Sequence, residues 1–533
     1  MFSQIEPLLP ESHPLRKWIV FLSLTMATTL AFLTSNTTVI LQSVITKNLA
    51  IDGGLSSWIT TLYLLGTNSL VPVGNRIADR IGYKQTFCIG NLLFTIGTIG
   101  VVLSKSFLFL AGSRLLEGVG AGMIFPTCLA ILVREFPKER LTLVLNLYLG
   151  ISIIIGFGFG GIFSGYCGAY LLWQMAFIAL IPICLLTFFL GLFFQRETEK
   201  VDRGPFDYWG FLLFISGMFF MLVALSDGNL PSTAEGWRAP YIQACLGSFL
   251  ICLIGMIWIE SLTENPVVPL RIFRYAPFTL GCITLFTLGM IAFSSVNFSV
   301  YYLERGLLYD HFMVGRTVCF YGVPFGIGSL AGSYLMKKLT AKYLSLIGLG
   351  LLVASLLLNN VLTIQSGENT IRLLLILRGT ALGVSVGPVT TAALQSLPKH
   401  LSSDGATFVT FFRQLGATFG GSVLGIVAIR RNVYHRQLFM EPVQRSLSGY
   451  QESLFRLKQS VFAANPRQAA LRAQEEIIDY IYRQAYIQSL NDALMLFGYI
   501  IGGVLCILSV IHLKDSYKRW HKKTYVDKET PIR

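Results

Sequence analysis

RLLEGVGAG, running from Arg114 to Gly122, puts an arginine and a glutamate three positions apart inside a stretch, Phe107 to Val133, that otherwise carries no charge. A helix crosses a bilayer with about 20 mostly apolar residues, and each charge near its centre costs about 2.5–3.5 kcal/mol on insertion scales. A pair retained there is either neutralised in place or used, so the segment reads as a membrane-crossing helix with a polar centre. The whole composition agrees. The chain has 533 residues, 53% apolar and only 13% charged, with a mean hydropathy of +0.62. An ordinary soluble domain is about 25% charged, so too little charge is available for a water-facing surface, and a soluble enzyme is excluded. The net charge of +14 is not a nucleic-acid footprint, because the basic residues fall in short clusters between apolar runs rather than along one face.

Outward from this segment, division of the apolar runs at Gly, Pro and polar breaks gives fourteen spans. They centre on residues 18–41, 55–73, 87–103, 107–133, 141–165, 173–194, 208–225, 241–259, 278–302, 317–336, 343–364, 371–394, 405–429 and 490–511. The fifth and sixth share one uncharged run and are divided at Gly165 to Gly168. The uncharged run from Trp18 to Thr46 is too long for the core of a cleaved signal peptide, so the first helix is expected to stay. Eight of the nine cysteines lie inside apolar runs, where a thiol behaves as a small hydrophobe, and no disulfide framework is expected. With the N-terminus inside, the inner connections hold roughly 24 Lys and Arg against about six in the short outer loops, which places both termini in the cytoplasm.

Spans one to six and nine to fourteen read as two related halves. RLLEGVGAG has a counterpart in RGTALGVSVGP from Arg378, and the basic connection Arg76, Arg80, Lys84 has one in Lys337, Lys338, Lys342. The expected organisation is an N-terminal segment 1–17, a six-helix half 18–195, two inserted spans with their loops 196–275, a second half 276–513 containing an outer connection 430–489, and a basic tail 514–533. Parallel repeats of this kind are a transporter arrangement.

On these residues the chain resembles the major facilitator superfamily, and within it the fourteen-span drug:proton antiporters of the EmrB and QacA type. NRIADRIGYK, Asn75 to Lys84, is similar to the GxLADRxGRK motif and keeps Asp79, Arg80, Gly82 and Lys84, with Asn75 in place of the first glycine. RLLEGVGAG is similar to RxxQG, with Glu117 in place of Gln. GFGFGG, with Gly156, Gly158, Gly160 and Gly161, is similar to the antiporter motif GPxxGG, with Phe157 in place of Pro. PFDYWG from Pro205, SDGN from Ser226 with Trp237, PVVPLRIF from Pro266 and FFRQLGATFGG from Phe411 are weaker echoes. The resemblance implies an all-α major facilitator fold of 6 + 2 + 6 spans and an inner gate formed by the Asp79 loop. The first span departs from it: relatives carry LDxTIVN there, and the acid falls on Thr34, followed by Ser35 and Asn36.

Four charges stand well inside spans: Arg114, Glu117, Arg378 and Arg413. Two readings fit Glu117: a proton-coupling carboxyl whose affinity changes as access alternates, or a permanent ion pair with Arg114 one turn away. If all three arginines face a water-filled centre, it is net positive and suits anionic or weakly acidic organic molecules; the alternative for Arg378 is to hold helix ends. Asn36 and the aromatic residues Phe32, Tyr63, Phe125 and Tyr321 are candidates for an adaptable cavity wall, although aromatics at such positions often serve only packing. The glycines of the fifth span permit close approach between the halves, and loss of proline at Phe157 should reduce the local kink.

The expected function is proton-coupled export of amphipathic or weakly acidic organic compounds by alternating access, in a bacterial inner membrane. The alternative is export of a specific organic anion such as a siderophore, or of a lipid, with different or no coupling. The expected partners are a small-molecule substrate, protons and membrane lipids, the last through the basic tail Lys514 to Lys523 with Trp520, and no nucleic acid. The outer connection is expected to form two short amphipathic helices, around Tyr450, Leu454, Leu457 and Val461 and around Leu471, Ile478, Ile481 and Tyr482, that cap the transporter or dock a periplasmic adaptor. No metal or cofactor is called for, and the six histidines lie at or outside span ends, which argues against an intramembrane hydrolase.

Overall fold

The computed structural model describes residues 7–10, 13–52, 54–197, 207–228, 236–263, 269–398, 401–445 and 466–526. Among these the chain is helical, with no strand. The first half comprises α1 (Pro14–Asn48), α2 (Trp58–Ile81), α3 (Tyr83–Leu103), α4 (Phe107–Glu135), α5 (Lys138–Ile153), α6 (Gly160–Tyr170), α7 (Trp173–Ile178) and α8 (Ile181–Phe194). A π-helical segment, Ile154–Phe159, joins α5 to α6. Two inserted helices follow, α9 (Tyr208–Asp227) and α10 (Pro240–Leu262). The second half comprises α11 (Ala276–Tyr301) with a π-helical last turn (Tyr302–Gly306), α12 (His311–Leu335), α13 (Ala341–Leu357), α14 (Glu368–Gln395), α15 (Ser402–Arg445) and α16 (Pro466–Val526).

Among the described residues, thirteen helical runs are long and apolar enough to cross a membrane. The second span, α2, is long enough at 24 residues, but Thr60, Thr61, Thr67, Asn68, Asn75, Arg76, Asp79 and Arg80 make it polar for a span. It is largely buried between neighbours, which supply the partners that lipid cannot. Side-chain caps start several helices where the sequence offers an acceptor: Ser106 for α4, Asp207 for α9 and Asp310 for α12. All nine cysteines are free thiols.

Each half packs on its own, α2 and α3 against α4 in the first, α12 and α13 against α14 in the second. The halves meet along two seams, α2 on α15 and α5–α6 on α12. Glycines set the second seam: a Cβ on Gly158 would lie 2.7 Å from the Val323 side chain, and one on Gly165 2.3 Å from the His311 carbonyl. This corrects the division of spans five and six. Gly165 serves close approach to α12 and Gly168 close approach to Leu41 of α1, and the helix runs on to Tyr170 before turning at Leu171 and Leu172.

The outer connection also differs from expectation. Residues 430–445 continue α15 and residues 466–489 belong to α16, because extending an existing helix adds a hydrogen bond per residue without a new nucleus. His435 of the α15 extension contacts Asp492, just past the second extension on α16, at 2.7 Å. Tyr450, Leu454, Leu457 and Val461 lie outside the described residues, as do Pro205 and Phe206, Asn229, and Pro266 to Val268 of the weaker motifs. The inserted helix α9 fills the groove beside the first seam. Its Asp227 accepts from the Trp58 indole at 2.9 Å on α2, and its Phe214 packs 5.6 Å from the Phe411 ring on α15. Beyond it α10 packs on α9 and presents Ile251, Ile254 and Trp258 outward.

Candidate functional site

The polar centre of the first half is built by α1, α2, α3 and α4. Glu117 and Arg114 pair across one helical turn, both fully buried. Thr98 on α3 donates to Glu117 at 3.2 Å, and the Arg114 Nε donates to the Ile59 carbonyl at 3.4 Å. Gly97 lets α3 approach this closely, since a Cβ there would meet the Glu117 backbone nitrogen at 2.6 Å. The Arg114 guanidinium lies 4.6 Å from the centre of the Tyr63 ring, a cation–π geometry that is strengthened by desolvation. Tyr63 in turn donates its hydroxyl to the Ala31 carbonyl of α1 at 2.9 Å. Thr34 of α1 is itself fully buried and lies beside both Glu117 and Tyr63.

The second half repeats this frame without the acid. Tyr321 of α12 donates to the Ala292 carbonyl of α11 at 2.8 Å, the counterpart of the Tyr63–Ala31 bond. Arg378 is fully buried on α14 and donates to the amide oxygen of Asn359 and, at 3.4 Å, to the Ser355 hydroxyl. Asn359 is held by Asn491 at 2.9 Å, and Asn491 by the Leu362 carbonyl at 2.8 Å. Three residues beyond Arg378, where the first half has Glu117, stands Ala381.

Between the halves lies a cavity of about 80 Å³. Its wall includes Phe32, Tyr63, Phe125, Phe157, Tyr321 and Phe325, with Arg413 as its one charged lining residue among those described. Phe32 bridges Phe125 and Phe157 with ring centres 5.4 and 5.3 Å apart. Arg413 is half-buried, and no described carboxylate pairs with it. Thus one of the three intramembrane arginines faces the space between the halves, while Arg114 and Arg378 turn into their own half. Glu117 does not line this cavity; the Tyr63 ring stands between Arg114 and the open space. Asn36 is not on the wall either: it donates to the Gly156 and Phe157 carbonyls at 3.2 and 3.4 Å. It thereby satisfies carbonyls of the π-helical segment, which supplies an irregular turn around Phe157.

Toward the ends of α1 and α11 a second space of about 270 Å³ opens, the vestibule, sharing Leu64 and Phe293 with the central cavity. Toward the chain termini the halves are tied directly, Asn68 donating to Thr418 at 2.6 Å and Asn75 to Thr407 at 2.7 Å. The Asn75 to Lys84 segment lies on this terminal face. Asp79 is buried, accepts from the Tyr83 hydroxyl at 2.8 Å and faces Arg134 at 3.8 Å. Arg134 covers the Tyr83 ring at 3.7 Å. Gly82 adopts φ +106°, and a Cβ there would lie 2.1 Å from a Glu197 carboxylate oxygen. That carboxylate receives the backbone N–H groups of Lys84 and Gln85, each at 3.3 Å. Lys84 is buried and Arg80 half-buried at the end of α2. Sequence motifs alone named Asp79, Arg80, Gly82 and Lys84; their partners Arg134 and Glu197 come from α4 and from three residues beyond α8, with no local signal.

Two six-span lobes meeting around a central cavity define the architecture of a secondary transporter. The sequence matches the Major Facilitator Superfamily over residues 24–421, and the chain belongs to that superfamily. It is 22% identical over 442 residues, 82% of each chain, to an uncharacterized MFS-type transporter, YhcA, of Bacillus subtilis. It is 27% identical over 382 residues to a multidrug resistance protein B homolog of Mycobacterium tuberculosis, covering 70% of this chain and 68% of that one. The fold is similar to that of a bacterial homolog of the human lysosomal transporter Spinster in an inward-facing conformation, with a TM-score of 0.54 and 17% identity over 95% of this chain and 99% of that one. The protein is therefore a multi-pass membrane transporter, not an enzyme.

Proposed function

We propose that this protein is a fourteen-span drug:proton antiporter that exports amphipathic or weakly acidic organic compounds, with Glu117 as the coupling carboxyl and both termini on the cytoplasmic side of a bacterial inner membrane. The observation that carries this reading is the position of Thr34. Related exporters carry an acid at that point of the first span; here it is a threonine, and it lies in the same buried cluster as Glu117, Arg114 and Tyr63. The carboxylate has moved from α1 to α4 within one site, and the coupling chemistry is retained.

In the mechanism, the substrate's apolar body packs among Phe32, Phe125 and Phe157, and its acidic group pairs with Arg413. Rocking of the halves breaks the Asn68–Thr418 and Asn75–Thr407 ties and swings the Tyr63 ring off Arg114, giving Glu117 access to water on one side only at a time. Protonation of Glu117 removes its attraction to Arg114 and biases the rocking. One proton moving through about 100 mV supplies about 2.3 kcal/mol, enough to drive export against a substantial gradient. Export of a specific organic anion such as a siderophore, or of a lipid, uses the same Arg413 and differs in coupling alone.

The test is reconstitution in liposomes with an imposed pH gradient. Wild type should move a weakly acidic fluorescent amphiphile uphill with counterflow of protons, and Glu117→Gln should retain downhill exchange of the same compound while losing its response to the gradient. Uphill transport by Glu117→Gln would assign coupling elsewhere.

A further inference from the structure

The vestibule lies outside the central cavity, and its composition is different. The cavity wall is aromatic; the vestibule is lined with hydroxyls and amides, among them Gln42, Ser57, Thr60, Thr61 and Asn297. Ser57 Oγ and Thr60 Oγ1 are buried there and have no hydrogen-bond partner, so both are left to bind whatever enters. Among the described lining residues there is one charge, Arg305, with Tyr486 beside it and no carboxylate. Glu304, the chain neighbour of Arg305, lines only the adjoining rim recess, which Lys47 of α1 and Arg305 itself also line, and it acts on Arg305 electrostatically without forming an ion pair among the described residues. Arg305 itself is exposed to this space, and no described carboxylate forms an ion pair with it.

The two unpaired arginines are joined by one face of one helical run. Gly289, Phe293, Asn297, Tyr301 and Arg305 recur at every fourth position, and all five line the cavity or the vestibule. At the lower end, Gly289 lies directly against the Arg413 backbone, where a Cβ would come within 2.0 Å of its carbonyl oxygen. At the upper end, sixteen residues on, stands Arg305, roughly 24 Å away along the helix axis at about 1.5 Å per residue. A stripe of fourth positions drifts around an α-helix; the wider π-helical turn over Tyr302–Gly306 slows that drift and holds Arg305 toward the path.

We propose that the vestibule is a second substrate station for an organic anion: Arg305 takes the acidic group as the anion leaves Arg413, while Ser57, Thr60 and Asn297 replace the aromatic contacts with hydrogen bonds. The proposal rests on the reading of the central cavity as a site for weakly acidic compounds. A cation at the mouth offers the departing acid a charge-assisted contact before water does, and it does nothing for a neutral compound of the same shape.

The experiment uses the full-length protein in liposomes with 1-naphthylacetate and its uncharged amide as matched probes. Arg305→Gln should slow naphthylacetate efflux about tenfold while changing its equilibrium binding less than twofold and amide efflux less than twofold; Arg305→Lys should restore at least half of the acid's rate. In unmodified protein, phenylglyoxal should label Arg305, and naphthylacetate but not the amide should protect it, a result that does not depend on the folding of any variant. Equal slowing of acid and amide by Arg305→Gln, or absence of selective protection, overturns the second station. If naphthylacetate binding is lost in Arg413→Gln but indifferent to Arg305 in rate and protection, the vestibule proposal alone falls. If wild type does not bind the acid, or binds it independently of Arg413, the reading of the central cavity falls first.

Discussion

The two halves place a buried arginine at the same point of the same frame, and they satisfy it by different means, one with a counter-charge and one with neutral acceptors. Arg114 meets a carboxylate one turn along its own helix; Arg378 meets the amide of Asn359 and the hydroxyl of Ser355 on a neighbouring helix. The flanking bonds, Tyr63 to Ala31 and Tyr321 to Ala292, are alike. The terminal-face loops differ in the same sense. In the first half Asp79 and Lys84 are buried in a network with Tyr83, Arg134 and Glu197. In the second, Lys337 and Lys338 are exposed, within 5.9 Å of the Tyr334 ring. A shared fold thus carries a buried carboxylate beside its arginine on one side and only neutral partners on the other, and the proposed coupling places proton exchange on the first alone.

The strongest way to break that contrast is Arg114→Ala. It strands Glu117 as a buried charge and should cost about 3–5 kcal/mol, read as loss of thermal stability in detergent; adding Glu117→Gln should recover most of it, a coupling that a double-mutant cycle measures directly. Arg378→Ala strands only neutral polar atoms, so it should cost about 1–3 kcal/mol, with the proton-to-substrate ratio unchanged. Gly82→Ala forces a left-handed backbone onto a side chain that also meets Glu197, for about 1–3 kcal/mol, and should lower transport by loosening the terminal-face latch. Lys337→Ala, at the matching loop of the second half, should change stability by less than about 0.5 kcal/mol. Similar losses for Arg114→Ala and Arg378→Ala would remove the asymmetry on which the coupling assignment stands.

The fold was legible because membrane helices announce themselves through long uncharged runs, and because repeated Arg-and-Gly faces at Arg114 and Arg378 mark two halves. The Arg114–Glu117 pair was legible for a local reason: positions three apart on a helix share a face. The partners of Arg378 were not, since Ser355 and Asn359 come from another helix and Asn359 depends on Asn491 far along the chain. Burial was also hidden. Sequence alone grouped Arg114, Arg378 and Arg413 as intramembrane charges, whereas helix rotation decides that Arg413 lines the cavity and the other two do not. Gly165 and Gly168 misled the division of spans because a glycine that permits a turn also permits close packing, and composition does not distinguish the two. Nothing in the sequence set Arg305 apart; its place on the vestibule wall follows from how α11 and its π-helical last turn pack.

Proton release during substrate-driven turnover in reconstituted protein, followed with a pH-sensitive dye inside the liposomes, bears most directly on Glu117. Wild type and Arg378→Gln should give the same number of protons per substrate, and Glu117→Gln should give none while still exchanging substrate downhill. A proton signal of wild-type size from Glu117→Gln would contradict the assignment.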